Sequence, residues 1–232
     1  MTREHTATDE PRLAIEPFAL GPFETNCYIV RAAAGSAQGR EHAPETGFVV
    51  DCGQDPEPLL DRLDELNLTP EVWLLTHAHI DHIAGLNRAR RRFPDVPIWI
   101  HRIEESWLLD AEANLSAFTG QPITAPPADR LLDDEQQLTL AGLTWTTIHV
   151  PGHSPGSLAY HNPETNLCFG GDALFRGSIG RTDFPGCDFE TLATSIRTRL
   201  YTLPDETRVL PGHGPDTTIA GEKHTNPFVT AS

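Results

Sequence analysis

Thr76-His77-Ala78-His79-Ile80-Asp81-His82 follows directly on the apolar run Val72-Trp73-Leu74-Leu75, and the whole chain can be read outward from that junction. The apolar run reads as a short buried strand and the residues after it as a sharp strand-to-helix turn. His77, His79, Asp81 and His82 supply three imidazoles and a carboxylate, all good metal ligands at neutral pH. In such a turn alternate residues project to different sides, so His77 and His79 can serve one ion while Asp81 and His82 serve another.

Three more candidates each end a strand. His153 lies in Val150-Pro-Gly-His-Ser-Pro-Gly-Ser157, Asp172 follows Cys168-Phe-Gly-Gly171, and His213 lies in Leu210-Pro-Gly-His-Gly-Pro215. Glycines there permit abrupt turns and close backbone approach. Taken singly, each histidine reads as structural; with the first cluster they make a convergent site, and seven ligands is a two-ion count. His149, four residues before His153, is the nearest rival, but a strand position entering a Pro-Gly turn suits packing or orienting a neighbour. Asp51, closing Phe48-Val-Val50, reads equally as a partner for a ligand imidazole or as a turn-capping aspartate.

Around these points the pattern alternates strand and helix. Strands are expected at 12–20, 27–33 and 47–52, with a flexible hairpin loop over 34–46. A helix over 58–66 places Leu59, Leu60, Leu63 and Leu66 on one face, and a second is expected over 84–93, before a strand at 98–101. The second half gives a helix at 104–117, a loop at 119–130, and strands at 143–150, 157–161 and 167–169. A helix at 189–203 and a strand at 208–210 close it. The implied class is α/β: an αββα sandwich of two mixed β-sheets flanked by helices. Residues 1–10 read as a disordered tail and residues 11–232 as a single domain.

The 232 residues are 38% hydrophobic and 22% charged, ordinary for a soluble globular protein, and no apolar run approaches the roughly 18 residues that span a bilayer. Residues 1–10 lack the apolar stretch of a signal peptide, so a cytoplasmic address is expected. The net charge of −16 disfavours nucleic acid, whose phosphates it would repel. The one basic cluster, Arg88, Arg90, Arg91 and Arg92, reads as a solvated helix face near the C-terminal end of its dipole. Cys27, Cys52, Cys168 and Cys187 form no CxxC pair; the first three read as small core residues and Cys187 as a loop residue.

From Asp51 through His77–His82, His153, Asp172 and His213, these residues resemble the metallo-β-lactamase fold, and within it the small glyoxalase II-like hydrolases. The run Gly170-Gly-Asp-Ala-Leu-Phe-Arg-Gly-Ser-Ile-Gly-Arg-Thr-Asp-Phe-Pro185 carries that narrower likeness, as does Gly221-Glu-Lys-His-Thr-Asn-Pro-Phe228. The resemblance implies one divalent ion on His77, His79, His153 and Asp172, and a second on Asp81, His82, His213 and Asp172, with the last carboxylate bridging. Zinc is the expected metal, with iron or manganese as alternatives. The reaction implied is thioester hydrolysis by a hydroxide bridging the ions, with Asp81 and Asp172 catalytic and a small-molecule thioester such as an S-2-hydroxyacylglutathione as substrate. Arg181 matches a cationic glutathione contact in full-length glyoxalase II, and Lys223 could add a second positive charge. Asp183 stands where that enzyme has a glutathione-contacting tyrosine, and His213-Gly-Pro215 replaces its His-Glu-Tyr. Only nineteen residues follow His213, so the helical domain that completes its glutathione site has no counterpart here. The metal chemistry therefore transfers better than the glutathione preference. Cys168 matches no β-lactamase ligand position, which disfavours antibiotic hydrolysis. Competing readings are a mono-iron persulfide dioxygenase, which resembles this chain in a run like Gly180-Arg-Thr-Asp-Phe184, a ribonuclease Z-like phosphodiesterase, a lactonase, and a non-catalytic binding module.

Overall fold

The structure is a computed structural model and describes residues 13–33 and 46–230; the expected N-terminal tail and nearly all of the 34–46 loop lie outside the described residues. The first sheet contains β1 (Leu13–Leu20), β2 (Thr25–Ala32), β3 (Gly47–Val50), β4 (Trp73–Leu74), β5 (Ile98–His101) and β6 (Arg130–Leu132), in that spatial order. Its first two pairings are antiparallel and the next three parallel; α1 (Glu57–Glu65) makes the β3–β4 crossover, α2 (Ile80–Ile83) and α3 (Leu86–Arg92) the β4–β5 crossover, and 3₁₀ segments and loop the β5–β6 crossover. The second sheet is built from β7 (Gln137–Leu140), β8 (Leu143–His149), β9 (Leu158–Asn162) and β10 (Leu167–Gly171). A two-stranded ribbon, β11 (Leu174–Phe175) with β12 (Ser178–Ile179), and α4 (Phe189–Ser195) follow. Then β13 (Arg208–Pro211) joins β10 in parallel, β14 (Thr217–Thr218) pairs with β13, and α5 (Ile219–Thr225) ends the order. The spatial order β14-β13-β10-β9-β8-β7 is again mixed.

Because side chains alternate across a strand, each apolar run serves two layers. On β2 and β3, Tyr28, Val30, Phe48 and Val50 face the second sheet, while Cys27, Ile29 and Val49 pack towards the helices. Phe48 meets Trp145 edge-on with centroids 5.3 Å apart, and Tyr28 and Trp145 lie 5.2 and 5.4 Å from Phe169. Outside the sheets, Leu59, Leu60 and Leu63 of α1 cover one face, and Leu192, Ile196 and Leu200 cover the other. The result is the expected αββα sandwich. No helix among the described residues is long and apolar enough to cross a membrane.

Several local expectations need correction. The 104–117 helix is a 3₁₀ segment over Arg102–Leu109, then turns and a second 3₁₀ piece over Ser116–Thr119. Asp110 Oδ1 accepts from the backbone N–H groups of Glu112 and Ala113, and Asn114 donates to the carbonyls of Trp107 and Ile123; these short polar side chains compete with a helical ladder. The 84–93 helix begins earlier, at Ile80, and breaks at Gly85, where a Cβ would stand 2.4 Å from the Gly53 carbonyl and 2.7 Å from Cys52 Sγ. The 189–203 helix is α4 followed by a π turn over Ile196–Leu200. Strands β6, β7 and β14, the β11–β12 ribbon and α5 had no counterpart in the sequence reading.

Trp145 is fully buried between the sheets. Trp145→Ala is expected to cost about 3–5 kcal/mol, read as a lower urea midpoint at unchanged denaturant slope.

Candidate metal centre

The ligand candidates gather because the rims of both sheets are tied together at one end. From the first sheet's side, β4 runs into Leu75 and Thr76, whose carbonyls accept from Tyr160 Oη at 2.5 Å and from the Leu158 N–H at 2.8 Å. From the second, Pro211 O accepts from Tyr28 Oη at 2.6 Å and Gly212 O from the Asn26 N–H at 2.7 Å. The turns after β4, β8, β10 and β13 thus open into one space, each ending a strand, as their position in the sequence suggested.

Three ring nitrogens converge: His77 Nε2 and His79 Nδ1 are 3.1 Å apart, His79 Nδ1 and His153 Nε2 2.9 Å, and His153 Nε2 and His77 Nε2 3.2 Å. Donors about 2.05 Å from one ion in a tetrahedral shell stand roughly 3.3 Å apart, so this triangle fits a single cation with little adjustment. Beside it, His82 Nε2 lies 3.4 Å from Asp81 Oδ2 and 3.3 Å from Asp172 Oδ1. His213 Nε2 lies 3.0 Å from Asp81 Oδ2 and 3.4 Å from Asp172 Oδ2, and Asp172 Oδ2 is also 3.6 Å from His153 Nε2. The structure therefore brings all seven candidates together, with Asp172 between the two groups. Gly212 makes room for it, since a Cβ there would stand 2.1 Å from Asp172 Oδ1.

The outward nitrogens of three imidazoles are held. His82 Nδ1 is 2.8 Å from Asp51 Oδ2, His77 Nδ1 is 3.1 Å from Thr76 Oγ1, and His153 Nδ1 is 2.9 Å from the Arg181 carbonyl. Asp51 also accepts from the Thr76 N–H and hydroxyl, both at 2.8 Å, which favours the imidazole-partner reading of this aspartate. Such contacts fix tautomer and ring orientation. His149 stands apart, stacked on His101 with centroids 4.6 Å apart and bonded to the Pro155 carbonyl.

Charge divides the site. Burial, reinforced by His82, His79 and His153, holds His77 well below the usual imidazole value. Burial likewise lowers His79 to about 3 and lowers His153, so these rings offer lone pairs. On the other side burial pushes His82 down, but the charges of Asp81, Asp172 and Asp51 override it and raise the ring well above its ordinary value. For His213, hydrogen bonds to Asp172 and Asp81 outweigh burial and raise it to about 9. Asp172 is held well below the carboxylate range by His82, His213 and His153 against the opposing effect of burial. Buried Asp172 Oδ1 and His82 Nε2 have no hydrogen-bond partner. Orphaned donors beside a carboxylate and three neutral imidazoles fit divalent metal.

The two expected substrate cations are already paired. Arg181 makes a bidentate pair with Asp183, at 2.9 and 2.7 Å, and its guanidinium lies 4.3 Å from the Phe184 ring centre. Lys223 Nζ is 2.6 Å from Asp205 Oδ1. Residues the sequence did not single out also shape the site. Fully buried Glu104 accepts from the Ala78 N–H at 2.7 Å and the Gly156 N–H at 2.6 Å, tying the His77–His79 turn to the His153 turn. Thr25 Oγ1 donates to Asp81 Oδ2 at 2.8 Å, and Trp107 and Phe184 flank the His79 ring. A carboxylate in an otherwise ordinary segment carries no such signal in sequence; only tertiary contact reveals it.

Comparison with known proteins agrees with this geometry. A family model described as the metallo-beta-lactamase superfamily matches residues 20–213. The chain is 39% identical to the "Probable metallo-hydrolase YqgX" of Bacillus subtilis, over 90% of this chain and 94% of the relative. It is 36% identical to the "Hydroxyacylglutathione hydrolase GloC" of Haemophilus influenzae, over 94% of this chain and 98% of the relative. Among solved structures it is similar to the BLEG-1 B3 metallo-beta-lactamase, with TM-score 0.85, 41% identity, 94% of this chain and 100% of that one covered. It is similar to TTHA1623 in a di-iron-bound form, with TM-score 0.74, 38% identity, 92% of this chain and 100% of that one covered. ETHE1 from Myxococcus xanthus aligns with TM-score 0.71, 26% identity, 92% of this chain and 83% of that one covered.

Asp172→Ala is expected to weaken metal binding at both donor groups, because its carboxylate reaches both, whereas His213→Ala should weaken mainly the group it shares with Asp81 and His82. Metal analysis of the purified variants checks this; two ions retained in Asp172→Ala would refute the shared role.

Proposed function

We propose, from the premise that this chain belongs to the metallo-β-lactamase superfamily, that it is a hydrolase of acyl thioesters working with two divalent ions, zinc by preference. The observation that carries this reading is Asp172, whose carboxylate stands within 3.3–3.6 Å of His82, His213 and His153 and so joins the two donor groups. His77, His79, His153 and Asp172 would hold one ion, and Asp81, His82, His213 and Asp172 the other. When bound, such ions supply a nucleophilic water at neutral pH and polarise an acyl carbonyl.

The chain's own residues do the rest. Asp81, fixed by Thr25 and His213, is placed to accept a hydrogen bond from the attacking water and orient it. The Trp107 and Phe184 rings beside His79 form an apolar wall that limits bulk water on that side. The leaving thiolate has a conjugate acid near pKa 8.5, so departure demands no dedicated general acid. The relative named a hydroxyacylglutathione hydrolase supports the thioester class.

Two further outcomes have specific support. The ETHE1 neighbour and the Gly180-Arg-Thr-Asp-Phe184 run favour the oxygen-consuming alternative, against which stands the assembly of seven donors. The B3 metallo-beta-lactamase neighbour brings a lactam amide back among the bonds to be tested, despite the mismatch at Cys168.

The metal-loaded protein is expected to hydrolyse S-D-lactoylglutathione or another acyl thioester with no oxygen uptake. Thioester absorbance, an oxygen electrode with glutathione persulfide, and a cephalosporin hydrolysis assay run in parallel check it. Oxygen uptake without thioester turnover would replace the hydrolase reading with the dioxygenase one.

A further inference from the structure

The run Gly221-Glu-Lys-His-Thr-Asn-Pro-Phe228 stands out in the sequence, yet its Lys223 is spent on Asp205. Its buried polar residues are Glu222, 2% exposed, and Asn226, 1% exposed. Both reach the tip of the β11–β12 ribbon. Glu222 Oε2 accepts from the Gly177 N–H at 2.9 Å and from Asn226 Nδ2 at 2.8 Å, while its Oε1 accepts from the Thr217 hydroxyl. Asn226 Nδ2 also donates to the Ser178 carbonyl at 3.0 Å, and its Oδ1 accepts from the Phe228 and Val229 N–H groups.

The ribbon needs such support. Leu174 pairs with Ile179 and Phe175 with Ser178, and a two-stranded ribbon this short does not hold its own shape in water. Arg176 adds a bond to the Asp216 carbonyl at 2.8 Å, but it is exposed, and exposed ties contribute little. The buried bonds of Glu222 and Asn226 are the costly ones to lose.

The other end of the ribbon is the metal centre. It begins immediately after Asp172 and Ala173 and ends at Gly180 and Arg181. The Arg181 carbonyl lies 2.9 Å from His153 Nδ1. A carbonyl only accepts, so this bond places the ring proton on Nδ1 and leaves the Nε2 lone pair aimed at His77 and His79. There is no slack at the junction: a Cβ on Gly180 would stand 1.9 Å from the Asp172 carbonyl oxygen and 2.9 Å from His153 Nδ1. A shift of the ribbon therefore moves the carbonyl that orients His153 and presses on the backbone of Asp172.

We propose that Glu222 and Asn226 are positioning residues for the metal centre: they clamp the ribbon tip, and the ribbon holds His153 and Asp172 in ligating position. Neither touches a donor atom of the centre. The proposal rests on the reading of the seven donors as a two-ion centre and not on the thioester chemistry.

Cobalt(II), titrated into the full-length chain against a chelator, measures the metal affinities, and the visible bands of the loaded protein report the donor set. His213→Ala, which acts mainly on the other group, identifies the affinity that belongs to His77, His79 and His153. Glu222→Ala and Asn226→Ala are expected to weaken that affinity by about tenfold or more, and by more than the other, with altered cobalt bands. Glu222→Gln should recover nearly all of it, because the amide oxygen can accept from Gly177 and Asn226 while the NH₂ turns to the Thr217 hydroxyl. Tyr201→Phe removes a bond to the Val229 carbonyl in the same C-terminal segment and should leave both affinities unchanged, even where the urea midpoint falls. Should Glu222→Ala fail to fold, Asn226→Ala carries the same test, since Glu222 then keeps Gly177 and Thr217. Unchanged affinities in the alanine variants, an equal or larger loss at the Asp81, His82 and His213 group, or no recovery in Glu222→Gln would each overturn the proposal. A single ion in the unaltered protein would remove the two-ion reading and leave the clamp to be judged on that ion; no ion at all would remove both.

Discussion

The hydrogen bonds that join the rims of the two sheets set the geometry on which the site depends. No single strand could carry seven donors to one point, and the candidates come from both sheets. Tyr160 reaches from the second sheet to the carbonyl before Thr76, and Tyr28 reaches from the first to the carbonyl before Gly212. Both hydroxyl partners are buried backbone carbonyls, and leaving either unpaired costs of order 1–3 kcal/mol. The aromatic cluster of Tyr28, Phe48, Trp145 and Phe169 sits beneath these ties, so sliding one sheet over the other would disturb packing and hydrogen bonds together. The ligand turns inherit their mutual placement from that alignment.

Electrostatics sharpen what the scaffold places. Burial lowers the proton affinity of the imidazoles on one side of the site, while neighbouring carboxylates raise that of the imidazoles on the other. The same protein surface, strongly acidic overall, has neutralised most of its arginines locally: Arg88, Arg90 and Arg92 on α3 and Arg181 near the site all face carboxylates.

What the sequence disclosed was governed by residue chemistry and period. His77, His79, Asp81, His82, His153, Asp172 and His213 could be picked out because imidazoles and carboxylates in Gly-rich strand ends have few other uses, and the geometry assembles the same seven. The inner strands were legible because doubly buried strands read as continuous apolar runs, whereas the short, half-exposed edge strands β6, β7 and β14 lack that signature. The 104–117 segment misled because its helical spacing was real, while Asp110 and Asn114 redirected the backbone. Glu104, Thr25 and Trp107 escaped notice because their roles arise from partners distant in sequence. Glu222 and Asn226 lie in a run the sequence marked, but only the fold sets Gly177 and Ser178 beside them.

Glu104 has a consequence for how the molecule breathes. Its buried carboxylate is satisfied by two N–H donors from separate turns, Ala78 in one and Gly156 in the other. Opening either turn alone would strand a charge that the remaining donor cannot satisfy, a state far less favourable than opening both and letting water in. The two turns therefore share one local unfolding unit, and their amides belong to a single cooperative exchange event although they are separated by almost eighty residues of chain.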